Sequence, residues 1–162
     1  MNVYEHMFRS VVGASMPLNR WRGQPLLFVN TASNCGYTPQ LAKLQNIYQD
    51  YRQSNLVIIG LPCNDFGDCE PGNEQAITGY YWDNFGVTFP LTEKITIVGR
   101  GAHPLFLALM DTFGMELMPR WNFTKYLFDC RGQFVERWPS DVEPDDPAMT
   151  HEIERQLQSW VF

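Results

Sequence analysis

Two short apolar runs stand out along the chain, Pro25-Leu26-Leu27-Phe28-Val29-Asn30 and Leu56-Val57-Ile58-Ile59-Gly60-Leu61. Neither alternates with polar residues, which predicts strands buried on both faces of a sheet. Between them Leu41, Leu44, Ile47, Tyr48 and Tyr51 recur at helical spacing, with Thr38 expected to cap the helix and Pro39 to fill its first position. Strand, helix and strand in this order predict a βαβ unit with parallel strands. A loop rich in Pro, Asn, Asp and Gly follows, then a weaker helical stretch from about Asn73 to Phe85 with Ala76, Ile77, Tyr80 and Tyr81 on its apolar side.

A short helix is expected from His103 to about Thr112. Lys125-Tyr126-Leu127-Phe128 and Gln133-Phe134-Val135-Glu136-Arg137-Trp138 flank Asp129-Cys130-Arg131-Gly132, an antiparallel hairpin with Gly132 in a left-handed position. A last helix is expected to begin at Asp146 and Pro147, its apolar stripe formed by Met149, Ile153, Leu157, Trp160 and Val161. A βαβ half followed by a hairpin and a terminal helix is the order of an α/β, thioredoxin-like fold: a central mixed β-sheet flanked by helices. The expected organisation is a single domain over 1–162, since no shift in composition divides the chain.

A formal net charge of -6 without a Lys/Arg cluster argues against nucleic acid as a partner. No apolar run is long enough to span a bilayer, and Glu5, His6 and Arg9 interrupt the first residues where a secretory signal would be apolar. A cytoplasmic protein is the expectation, unless a leader has been removed. The four cysteines, Cys35, Cys63, Cys69 and Cys130, form no C-x-x-C pair, and the histidines are dispersed, so no metal site is expected.

Cys35 carries the candidate chemistry. It lies past a buried strand in Thr31-Ala32-Ser33-Asn34-Cys35-Gly36-Tyr37-Thr38-Pro39, just before a helix N-terminus whose unpaired N–H groups favour thiolate over thiol. Disulfide reductases hold C-x-x-C at this turn, whereas here it reads Cys35-Gly36-Tyr37-Thr38, so dithiol exchange within the turn is impossible. A lone activated thiolate suits attack on an O–O bond, giving a sulfenic acid that a second thiol must reduce. On isolated evidence an inert buried cysteine is an equally good reading.

Three segments, Asn30 to Gln40, then Leu61-Pro62-Cys63-Asn64-Asp65-Phe66-Gly67 with Glu70-Pro71-Gly72, then Trp121-Asn122-Phe123-Thr124-Lys125-Tyr126-Leu127, resemble the signature blocks of the glutathione peroxidase family in order and separation. The likeness extends to Val87-Thr88-Phe89-Pro90, Pro139 and Pro144. It implies a cysteine-type, non-selenium peroxidase reducing hydrogen peroxide or organic hydroperoxides through a sulfenic acid. No cofactor is implied beyond glutathione or thioredoxin as thiol reductant and co-substrate. The family's tetrad of Cys or selenocysteine, Gln, Trp and Asn is carried over as Cys35, Asp65 in the place of Gln, Trp121 and Asn122. Indole and amide N–H groups are neutral donors able to hold a thiolate or a departing oxygen.

Three departures from the family pattern matter. An ionised Asp65 would repel a thiolate, so the expectation is either a proton relay coupled to Cys35 or a side chain turned away to cap the loop. The resolving cysteine that thioredoxin-dependent members carry in the helix after the second block is absent near Tyr80 and Tyr81. Cys69, in the mobile-looking loop 67–72, is the candidate substitute, with a swing toward Cys35; Cys63 is expected to be packed and Cys130 a bystander. Asn34 stands where Lys often precedes the catalytic residue, which weakens the case for glutathione binding. The segment from Phe113 to Arg120 lacks the long insertion of family tetramers, so a monomer or weak dimer is expected. The competing reading is a peroxide-sensing thiol relay that oxidises a partner protein.

Overall fold

The computed structural model describes residues 1–159; Trp160 and Val161, assigned above to the last apolar stripe, lie outside the described residues. Strands β1 (Met7–Arg9) and β2 (Ser15–Pro17) form a small antiparallel ribbon. Strand β3 (Leu26–Thr31) leads to helix α1 (Gln40–Tyr51), and strand β4 (Val57–Pro62) leads to helices α2 (Glu74–Phe85) and α3 (Pro104–Phe113). Strands β5 (Lys125–Phe128) and β6 (Phe134–Trp138) make the hairpin, and helix α4 (Pro147–Ser159) follows. The central sheet has the order β4-β3-β5-β6, with β3 and β4 parallel and the other two pairings antiparallel.

All six residues of β3 and all six of β4 are buried, as their unbroken apolar runs predict. Alternate side chains enter opposite layers. Leu27, Val29, Ile58 and Leu127 pack with Leu41, Leu44 and Ile47 of α1, Ile77 and Tyr81 of α2, and Met149, Ile153 and Leu157 of α4. Leu26, Phe28, Ile59 and Leu61 pack with Leu105, Phe106 and Leu109 of α3 and with Phe8 and Met16 of the ribbon. This α/β sandwich about a mixed sheet is the expected thioredoxin-like architecture.

Three local expectations need correction. Thr38 does not cap α1: its hydroxyl accepts from Cys35 N–H and donates to Ala32 C=O, both at 2.9 Å, so it braces the loop instead. Pro39 accordingly sits one residue before the helix. On α2 only Ile77 and Tyr81 are buried, while Ala76 and Tyr80 face solvent, because the helix touches the core along a narrow stripe. The β1–β2 ribbon was not expected; its three-residue strands are too short to show a period.

Asn73 caps α2 through its side chain, and Gly86 ends the helix in a left-handed conformation. Gly132 closes the β5–β6 turn at φ +82°, as its sequence position predicts. No helix among the described residues is long and apolar enough to cross a membrane.

Candidate active site

Cys35 occupies the connection between the end of β3 and the start of α1. Thr38 N–H donates to Cys35 C=O at 3.0 Å and Tyr37 N–H donates to the Cys35 Sγ at 3.4 Å, so the loop wraps tightly around the sulfur. The thiol is partly buried against the core layer that contains α1, α2 and α4.

A second segment lies beside this loop. Asn34 N–H donates to Cys69 C=O at 3.0 Å, which brings the backbone at Cys69 alongside that at Cys35. The Cys35 sulfur and the Asn122 amide both lie near enough to the Cys69 thiol to influence its ionisation. The Cys69 thiol also donates weakly to Gly67 C=O at 3.5 Å. Desolvation pushes its pKa up, and the neighbouring Cys35 adds to that, while the Asn122 amide opposes it. A swing of the loop toward Cys35 is therefore unnecessary: Cys69 already lies there.

The third segment carries Trp121 and Asn122. Asn122 is fully buried; its Nδ2 donates to Phe66 C=O at 3.1 Å. Its Oδ1 is buried without a partner among the described residues. The indole of Trp121, 39% exposed, stands edge-on to Phe66 and lies over Gly67. Asn30, a polar residue in the apolar run of β3, fixes this turn. Its Nδ2 donates to Trp121 C=O at 3.1 Å, its Oδ1 accepts from Thr124 N–H at 2.9 Å, and its carbonyl accepts from Phe123 N–H at 2.6 Å. Phe123 adopts φ +62°, a strained conformation for a non-glycine residue that these bonds hold in place. Asn30 was not among the expected site residues, and its signal was a buried amide where the strand otherwise wants hydrocarbon.

For Asp65 the geometry agrees with the second of the two expectations, a side chain turned away to cap a loop, and not with the place beside Cys35. Its Oδ2 accepts from Ile97 N–H at 2.6 Å and Val98 N–H at 3.0 Å, capping that loop. Its own N–H donates to the sulfur of Cys63, which belongs with Phe66 and Ile97 to the α3 layer, whereas Cys35 and Cys69 pack in the α1 layer. The place beside Cys35 and Asn122 that the sequence resemblance gave to Asp65 is filled by Cys69.

Cys63 is completely buried, and burial pushes its thiol up to about 12, as expected of a packed cysteine. Cys130 sits at the distant hairpin turn, near Tyr4. Behind Cys69, the buried Glu70 accepts from Ser33 Oγ on one oxygen and from Tyr81 OH on the other, both at 2.5 Å. The Tyr81 hydroxyl also bonds to Thr31 Oγ1 at 2.9 Å. Glu70 N–H donates to Asn64 Oδ1 at 2.8 Å. This network, which the sequence did not reveal, fastens the Cys69 segment to the end of β3. Among the described residues no group of three or more His, Cys, Asp or Glu could hold a metal ion.

Residues 3–110 match the family described as glutathione peroxidase. The chain is 40% identical over 150 residues to a glutathione peroxidase homolog, BsaA, of Bacillus subtilis, covering 90% of this chain and 93% of that protein. It is 43% identical over 150 residues, 91% of each chain, to the glutathione peroxidase-like peroxiredoxin GPX5 of Chlamydomonas reinhardtii. A hydroperoxy fatty acid reductase of Synechocystis is 38% identical, with 90% of this chain and 91% of that one covered. Among solved structures, the apo crystal structure of Trgpx superposes with a TM-score of 0.77 at 29% identity, covering 98% of this chain and 96% of that one. A putative DsbE of Chlorobium tepidum, 13% identical over 96% of this chain and 95% of that one with a TM-score of 0.67, shares the thioredoxin-like fold.

Proposed function

The chain belongs to the glutathione peroxidase family and is a thiol peroxidase, and from that premise we propose that Cys35 is the sulfur that attacks the peroxide. The Cys35 thiolate attacks one peroxide oxygen and displaces the other: an S–O bond forms, the O–O bond breaks, and the displaced oxygen leaves as water or an alcohol after taking a proton. The single observation that carries this assignment is the convergence of three segments on one sulfur pair, Cys35 with Cys69, beside Asn122 and Trp121.

In that arrangement the Tyr37 N–H holds the nucleophilic sulfur in place. The Asn122 amide, beside Cys69, and the indole of Trp121, which lies over Gly67, are the neutral donors of this reading, and a preorganised donor of this kind is worth about 3 kcal/mol in a transition state. Asn30 is a positioning residue, acting through the Trp121 to Thr124 turn. Asp65 has no part in the reaction, since its carboxylate is committed to the Ile97 and Val98 N–H groups.

Hydrogen peroxide and organic hydroperoxides are the proposed substrates; one relative is named for hydroperoxy fatty acid reduction. The half-exposed Trp121 leaves the site open to a substrate larger than hydrogen peroxide. Residence in the cytoplasm as a monomer or weak dimer is part of the same proposal, the latter because the Phe113 to Arg120 segment is compact, one short 3-10 turn after α3.

Stopped-flow mixing of fully reduced protein with hydrogen peroxide tests the assignment. One equivalent should be consumed rapidly by the wild type and by Asp65→Gln, but not by Cys35→Ser. Undiminished consumption by Cys35→Ser would place the reactive sulfur elsewhere.

A further inference from the structure

We propose that Cys69 is the resolving cysteine and closes a disulfide with Cys35 in place, without unfolding of α2 or travel of its loop. The proposal rests on the reading of Cys35 as the peroxide-reactive sulfur and adds the step that follows it. Two contacts hold the pair together. The Cys69 thiol lies near enough to Cys35 for the two side chains to act on each other, and the Asn34 N–H to Cys69 C=O bond at 3.0 Å lays the Cys69 backbone beside the residue that precedes Cys35. Both side chains pack in the same layer, and a disulfide needs its Cα atoms roughly 4.4 to 6.8 Å apart, a span open to segments joined backbone to backbone.

The other cysteines do not compete. Cys63 is sealed in the layer beyond the sheet, Cys130 lies at the β5–β6 turn, and α2 contains none. The segment bearing Cys69 is also braced on both sides: Gly67 lies beneath Trp121, and Glu70 is tied to Ser33, Tyr81 and Asn64. A braced neighbour reacts with a high effective concentration because little ordering remains to be done.

Peroxide oxidises Cys35 to the sulfenic acid and is itself reduced. The Cys69 sulfur, giving up its proton, attacks the Cys35 sulfur; an S–S bond forms, the S–O bond breaks, and the hydroxide leaves as water. The sulfenic acid is thereby short-lived, which favours peroxide clearance over a relay that must wait for a partner protein.

The same contact selects the reductant. A monothiol that opens the disulfide leaves a mixed disulfide next to the other cysteine, which closes the ring again and expels it. A dithiol protein of the thioredoxin kind escapes this reversal, because its second sulfur completes the exchange within the mixed disulfide. The two electrons then reside on the reductant's own disulfide.

Intact mass and thiol counting after one equivalent of hydrogen peroxide test the proposal, with peptide mapping of the products. Wild-type protein should fall from four thiols to two, lose two hydrogens and yield a Cys35 to Cys69 cross-linked peptide. Cys69→Ser and Cys69→Gln should each gain one oxygen at Cys35 and be trapped by dimedone. Steady-state turnover of the wild type with a thioredoxin-type dithiol should exceed that with glutathione at least tenfold, and the gap should close in Cys69→Gln. If wild-type protein instead accumulates dimedone-reactive Cys35 with the Cys69 thiol still free, the resolving role is overturned while the peroxidase assignment stands. If no protein consumes peroxide or loses thiols, both fall together.

Discussion

Gly67 and Trp121 are in contact at a distance that admits no side chain: a Cβ on Gly67 would lie 2.5 Å from the indole Cη2. Gly67 also has φ +70°, where an L residue is strained. Gly67→Ala therefore displaces the indole or the loop, at a stability cost of about 1 kcal/mol from the backbone alone. We expect the rate of Cys35 oxidation to fall about tenfold or more, because an indole moved by an ångström no longer meets the reacting oxygen. Stopped-flow peroxide consumption by the folded variant is the check, and an unchanged rate would dissociate Trp121 from the chemistry.

Removing the Asp65 carboxylate separates capping from catalysis. Asp65→Ala deprives the Ile97 and Val98 N–H groups of their acceptor, at an expected cost of about 1 kcal/mol in urea unfolding because the site is exposed. The pH profile of single-turnover oxidation should superimpose on that of wild type for both Asp65→Ala and Asp65→Gln. A profile displaced along the pH axis would restore the proton relay.

The surroundings of Cys35 were legible in the sequence, and the choice between the two roles of Asp65 was not. The long apolar runs of β3 and β4 and the helical spacing of Leu41, Leu44 and Ile47 declare burial by themselves, so the frame that places Cys35 was legible. The loop after β4 has no such period. One clue was present: Ile59, Leu61 and Cys63 all enter the α3 layer, and Asp65 continues that alternation away from Cys35. The contact between Cys69 and Cys35 had no local signal. It depends on a turn at Gly67 and on the Ser33, Glu70 and Tyr81 bonds, which join residues 37 and 11 positions apart.

Glu70 should make stability depend on acid. Burial raises its carboxyl above the ordinary range, against the opposing Ser33 and Tyr81 hydrogen bonds. Between the unfolded value, about 4.3, and the raised folded value, the native state holds a proton that the unfolded chain has released. Stability is thus fully present below the lower value and declines as pH rises through the upper one. Glu70→Gln, which cannot ionise, should lack this decline, so urea midpoints of the two proteins converge in acid and separate toward neutrality. Parallel curves from pH 4 to 8 would mean that the carboxyl ionises as freely in the fold as outside it.

Lys125 should act in the opposite sense and at higher pH. It begins β5, paired with Val29 and Trp138, with its side chain fully buried. Its Nζ donates to the carbonyls of Pro139, Ser140 and Val142. Three acceptors call for the three donors of an ammonium, and Glu143 and Asp141 favour the charge, yet burial outweighs them and lowers the pKa to about 7. An unfolded lysine keeps its proton to about 10.4. Between those values the unfolded chain binds the extra proton, so the folded state gains stability as pH rises and loses it as pH falls through about 7. Lys125→Met removes both the titration and the three bonds. It should be less stable than wild type throughout, by an amount that widens from pH 7 to pH 10, because only the wild type benefits from releasing its proton. Because Lys125 directly follows the Trp121 to Thr124 turn held by Asn30, the variant should also lose peroxide reactivity to a greater degree than stability alone accounts for. Denaturant titrations of both proteins across that range decide the point: a constant gap would show that the buried amine titrates as it does in water.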